Sequence, residues 1–194
     1  EQYNIYIEYT ANPEEVKQEG SSAISDAKGL YFINHDGADK KKHMEIWTQG
    51  ETEASSAWFP TIDSPNEKTT EEVYITVQDK YTTLSNGLLI ESTQNENGTR
   101  TDYWKMDQPH SPYLFMMAVG EFAIVKDTWK KKDSSEMEVS YYVEKKFEPH
   151  ARAIFGKTPK MIEHFSELLG VEYPWAKYSQ IVVRDYVSGA MENT

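Results

Sequence analysis

The sequence predicts a mainly β protein, a large β-sandwich or saddle-like domain, with a change to α+β character near residue 146. Three observations carry that expectation. Short apolar runs with period-two alternation recur between residues 3 and 143, separated by polar turns and free of helical periodicity. Tyr (13) outnumbers Phe (7), which together with Trp suits half-buried sheet faces. Helix signals begin only after Phe147.

Taken in order, Tyr3, Ile5, Ile7 and Tyr9 alternate with Asn4, Tyr6, Glu8 and Thr10, predicting a first strand over 3–10. Residues 12–28, rich in Glu, Ser, Lys and Gly, read as a polar loop. Two strands, at 30–33 and 44–48, flank the turn-rich segment 34–42, and Val73, Ile75 and Val77 alternate in the next. Strands at 88–93 and 101–106 form a hairpin over Asn95-Glu-Asn-Gly98, because Asn-Gly accepts positive φ. Asn97-Gly-Thr99 also fits a glycosylation acceptor, but the turn accounts for it. Strands over 113–126, with a bulge-prone Gly120, and over 138–143 complete the set, separated by the charged turn 130–135.

The pattern then switches. Pro149 opens a short helix, 151–155, that stops at Gly156. Thr158 caps a second helix with Pro159 at its first position, Met161, Ile162, Phe165, Leu168 and Leu169 on one face, and Gly170 as its stop. Tyr173-Pro-Trp175 turns into a strand at 178–184. The domains expected are 1–146, a β-sandwich lacking its first strands if the chain is trimmed, and 147–194.

The bulk numbers bound the function. With 194 residues there is room for one large domain, or one and part of another. A net charge of −12 makes nucleic acid and anionic membrane unsuitable partners. Without cysteine there is neither a disulfide framework nor a thiolate metal site, and the compartment stays open. No apolar run reaches the length of a membrane span. The start, Glu1-Gln-Tyr-Asn, has no Met and no signal-peptide pattern, which points to a trimmed chain; a removed leader would look the same.

The last residues, Gly189-Ala190-Met191-Glu192-Asn193-Thr194, carry the functional expectation. Gly and Ala let a bound backbone come close, and the Glu192 carboxylate can neutralise an ammonium at a fixed distance from it. On spacing alone, an ordinary loop with a surface Glu is the commoner reading. A second stretch, Gln49-Gly-Glu51 followed by Trp58-Phe-Pro60 and Asp63-Ser-Pro65, presents Glu51 beside a stiff aromatic-proline corner, or is simply a turn with solvated acids.

The five residues from Gly189 to Asn193 resemble the exopeptidase motif of zinc aminopeptidases of the aminopeptidase N family. The spacing of Gln49, Glu51, Pro60, Asp63 and Pro65 is similar to that family's pattern, and Ser111–Phe122 resembles a strand near the close of its sandwich domain. The resemblance covers essentially the whole chain. It implies that 147–194 begins a thermolysin-like catalytic domain, and that Glu51, Gly189, Ala190, Met191, Glu192 and Asn193 bind peptide substrates with a free amino terminus. It further implies a zinc-polarised water attacking the first peptide bond in the full-length enzyme, with a Glu of an absent helix as general base.

None of His35, His43, His110, His150 and His164 begins the H-E-x-x-H ligand motif. The expectation is therefore an amino-terminal fragment without catalytic or metal-ligating residues, inactive alone, whose partner is the remainder of its own catalytic domain. Where the commonest family members continue with Trp-Gly, this chain has Thr194, which leaves the first side-chain pocket undefined. Two other classes stay open: a non-catalytic interaction module, and an epoxide hydrolase of the leukotriene branch, which has Gln where Glu51 stands.

Overall fold

The structure, a computed structural model, describes residues 3–16, 21, 22, 24 and 26–194. Parts of the polar loop expected over 12–28 (17–20, 23 and 25) lie outside the described residues. The mainly β class holds, with the strands divided among three sheets.

The first sheet is antiparallel, in the order β1 (Leu30–Ile33), β2 (Glu45–Thr48), β7 (Met117–Gly120), β4 (Thr82–Ser85). The second runs β3 (Thr69–Gln78), β6 (Thr99–His110), β5 (Leu88–Gln94), also antiparallel. Trp47 and Leu84 from the first and Ile75 and Trp104 from the second bury against one another in the larger core. Asp102 of β6 anchors the interior as a hub, accepting from Thr83 Oγ1 at 2.6 Å, Ser92 Oγ at 2.6 Å and Arg100 Nε at 2.9 Å.

The third sheet runs β10 (Tyr178–Ile181), β9 (Glu136–Glu144), β8 (Phe122–Lys130). Here β10 lies parallel to β9, a pairing that needs a long crossover. The helices α1 (Glu148–Phe155) and α2 (Thr158–Leu169) supply it. They seat Ala151 and Ile162 on Trp129, Met137, Val139, Tyr141 and Val143 in a second core.

Several sequence expectations need correction. Residues 3–10 form no strand: they are exposed and irregular, and Tyr9 Oη donates to the Trp58 carbonyl at 3.0 Å. Alternation supplies a face, but a strand also needs a neighbouring edge. The strand expected over 113–126 is divided. A 3-10 turn covers 112–114, and at Gly120 the chain leaves the first sheet for the third, so β7 and β8 belong to different layers. The strand β4 was unforeseen because Leu84 is its lone apolar residue; Thr83 and Ser85 are buried through hydroxyl hydrogen bonds instead. Thr158 does not cap α2. Lys157 holds that position, and Thr158 Oγ1 donates to the Phe155 carbonyl at 2.7 Å and meets Gln180 Oε1 at 3.0 Å. Gly170 ends α2 in the left-handed region, φ 68°, as expected. The apolar face of α2 is buried at Ile162 alone; Met161, Phe165, Leu168 and Leu169 are exposed.

Candidate functional site

Side chains two apart on a strand share a face. On β2 and one step past its end, that face carries Glu45, Trp47 and Gln49, all buried. Each holds part of the segment that follows β10. Glu45 Oε2 accepts from the Arg184 backbone N–H at 2.8 Å, and Trp47 Nε1 donates to the Arg184 carbonyl at 3.1 Å. The Trp47 ring stacks on Tyr31 at 4.1 Å and meets Tyr186 at 5.0 Å. Gln49 Nε2 points at Met191 Sδ, 3.5 Å away. Residues 184–191 are thus laid along one strand by three residues of period two.

Arg184 also joins two buried carboxylates. Its guanidinium pairs with Glu144, which Lys146 meets from the other side at 2.9 Å. Burial alone would raise the Glu144 carboxyl, but these two cations outweigh it and hold it below the usual range. Glu45 goes the other way: burial pushes its carboxyl up, and Oε1 has no hydrogen-bond partner among the described residues.

The loop bearing Glu51 is pinned from several sides. Gly50 fits where no Cβ can, since one would lie 2.5 Å from Ser55 Oγ and from the Tyr113 carbonyl. Ala54 N donates to the Gly50 carbonyl at 2.9 Å, and Ser56 N to Asp63 Oδ2 at 2.8 Å. Phe59 stacks on Phe115 at 5.1 Å, and the Pro65 carbonyl accepts from Ser111 Oγ at 2.5 Å. The aromatic-proline corner and Asp63 therefore act as a frame, from which Glu51 projects, exposed.

A cavity of about 590 Å³ opens beside this strand, lined by residues 189–194 together with Thr48, Lys177 and Tyr186. Glu51 is not among its lining residues. Tyr186, which lines the cavity, has its phenol pushed up to about 12, first by burial and then by the charges of Tyr31, Glu192 and Glu51. Gln49 Oε1 and Asn193 Oδ1 are buried acceptors without a protein donor among the described residues, and a ligand carrying N–H groups would suit them.

Sequence reasoning missed three residues here. Tyr186 carries no motif of its own. Lys177 precedes β10 and carries no motif, yet its Nζ donates to the Ser85 carbonyl at 2.8 Å and to that of Gly87. Asn86 lies in Leu84-Ser-Asn-Gly87, where the Asn-Gly pair was the available signal.

Among the described residues, no group of three or more His, Asp or Glu side chains is arranged to hold a metal ion. The described residues therefore do not by themselves fit a zinc centre. No helix among the described residues is long and apolar enough to cross a membrane.

Comparison with known proteins defines the class. The profile of the Peptidase M1 N-terminal domain matches residues 1–114. The chain belongs to the M1 peptidase family. It is 32% identical over 166 residues to human glutamyl aminopeptidase, covering 85% of this chain and 17% of that protein. To aminopeptidase M1 of Arabidopsis thaliana it is 32% identical over 171 residues, covering 86% and 18%. To the puromycin-sensitive aminopeptidase of Caenorhabditis elegans it is 33% identical over 167 residues, covering 86% and 17%. The chain thus spans under a fifth of the length of these relatives. In fold it is similar to Legionella pneumophila aminopeptidase A, solved in complex with aspartic acid, with a TM-score of 0.75 at 23% identity over 91% of this chain and 19% of that one.

Proposed function

We propose that this chain supplies the amino-terminus-binding part of a zinc-dependent aminopeptidase that removes first residues from peptides. The observation that carries the reading is the contact of Gln49 Nε2 with Met191 Sδ, 3.5 Å, which brings the strand leading into Glu51 beside the segment that bears Glu192, 141 positions further along the sequence. In this reading the two carboxylates share the ammonium of a bound peptide, which has three donors and is poorly served by one acceptor alone. Gly189 and Ala190 lie against the first peptide group, Met191 keys the strand to Gln49, and Asn193 Oδ1 accepts from the substrate backbone. Zinc, which polarises the attacked carbonyl in such enzymes, would be held by residues outside this chain. What residues 1–194 contribute is binding and orientation, which fix how far from the free end the peptide is presented. The segment from residue 147 onward then belongs to the catalytic domain together with β8 and β9, with which it shares the third sheet and the second core, and the first two sheets form the β domain that brings Glu51 to it.

The test is kinetic, in a protein of the relatives' length that contains this chain. Glu51→Gln and Glu192→Gln should each raise KM for an aminoacyl anilide by about ten- to a hundredfold, the loss of one charge-assisted hydrogen bond. Unchanged KM in either variant contradicts the reading. The 194-residue chain alone should neither take up stoichiometric zinc nor hydrolyse the anilide.

A further inference from the structure

Turns between strands ordinarily sit in water. The turn between β4 and β5, Ser85-Asn86-Gly87, is instead buried, and its polar groups bind other segments of the chain. Asn86 Nδ2 donates to the Leu114 carbonyl at 2.9 Å and to the Thr194 carbonyl, with Thr194 Oγ1 at 3.3 Å. Its Oδ1 accepts from the Met116 N–H at 2.7 Å. The flanking carbonyls of Ser85 and Gly87 both accept from Lys177 Nζ, which lies 5.2 Å from the centre of the Trp104 ring. Gly87 makes this possible: at φ +68° it passes the Lys105 carbonyl so closely that a Cβ would sit 1.9 Å from that oxygen.

Lys177 immediately precedes β10, and Thr194 immediately follows Asn193. One three-residue turn therefore grips both ends of the segment 178–193 while β2 supports its middle. A slip of one residue between these anchors would displace Glu192 from its place in the cavity lining. We infer that Asn86 and Lys177 are positioning residues for amine recognition: they fix the placement of the Gly189–Asn193 segment, and with it the place of the Glu192 carboxylate. This rests on the reading of Glu192 given above.

The test uses the same longer protein and two competitive inhibitors, an amino-acid amide and its analogue lacking the α-amino group. The ratio of their inhibition constants reports amine recognition alone. Asn86→Asp keeps the shape but removes the donor to Thr194. Lys177→Met acts from the other end and keeps the apolar stem against Trp104. In each, the ratio should fall about tenfold while inhibition by the des-amino analogue changes less than about twofold, the signature of one lost oriented interaction. Merely loosened folding weakens both inhibitors alike, and that outcome overturns the inference, as does an unchanged ratio in both variants. Thermal melting identifies a variant that fails to fold, and the other then decides. A wild-type protein with no preference for the free amine overturns the reading of Glu192 and the inference with it. A wild-type preference retained in both variants overturns the inference alone.

Discussion

Arg184 shows how a single residue joins two functions. Its backbone is held by Glu45 and Trp47, and its guanidinium neutralises Glu144 inside the protein. Replacing it with Met leaves Glu144 buried with Lys146 alone. Because Arg184 is part-exposed, the cost is discounted from that of a fully buried pair to about 2 kcal/mol, measurable by urea unfolding. The pH dependence has a definite sign. The Glu144 carboxyl is held low in the folded state, so its contribution is present above the ordinary Glu range and is lost as pH falls through the lowered folded value. In Arg184→Met this acid loss should therefore shrink, so the stability difference between wild type and variant narrows as pH falls below about 4.5. Trp47→Phe probes the same place differently. It keeps the stacking on Tyr31 but deletes the bond to the Arg184 carbonyl, worth about 1 kcal/mol. Tryptic cleavage after Arg184 should then accelerate about fivefold if it proceeds through local opening.

Among elements, the β4–β5 turn is held by close backbone packing at Gly87. Gly87→Ala must pay for a left-handed backbone and for overlap with the Lys105 carbonyl, so a loss of at least about 2 kcal/mol is expected by thermal or denaturant unfolding. Elements were legible in the sequence where apolar periodicity and punctuation agreed. β1 was read to the residue, and α2 between Pro159 and Gly170 nearly so. Where burial is achieved by polar groups, periodicity has nothing to report. β4 buries Thr83 and Ser85 by bonding Asp102 and the Met116 carbonyl, partners distant in sequence. The converse holds at residues 3–10, where good alternation meets no partner strand. The site divides the same way. The Gly189–Asn193 and Gln49–Glu51 stretches stand out by composition and by resemblance to a family. Asn86, Lys177 and Tyr186, which join them to the fold, stand out only once the strands are in place.

At the scale of the whole molecule, alkaline stability should bear the mark of Lys177. Burial lowers its ammonium from 10.5 to about 8, a shift partly offset by the charges of Glu71 and Glu138. The native state thus releases this proton first, so between pH 8 and about 10.5 the unfolded chain binds more protons and this group's contribution to stability rises with pH. Tyrosines act in the opposite sense. Burial raises Tyr142 to about 12 and Tyr186 to about 12, so above their ordinary value of 10 the native state retains protons that the unfolded chain gives up, and stability falls. The difference in unfolding free energy between the wild type and Lys177→Met should therefore shift toward the wild type from pH 8 to pH 10. A difference flat over that interval would contradict the buried-ammonium account.

The same assembly that buries Lys177 and Asn86 brings the last residues of the chain to the strand that leads into Glu51, and the functional reading depends on that meeting. Its most direct test is a structure of the longer protein with an amino-acid amide bound. The account predicts the ligand's α-nitrogen within hydrogen-bonding distance, about 2.7–3.2 Å, of one oxygen of Glu51 and one of Glu192 together. An α-nitrogen in contact with only one of these carboxylates, or bound elsewhere, would contradict it.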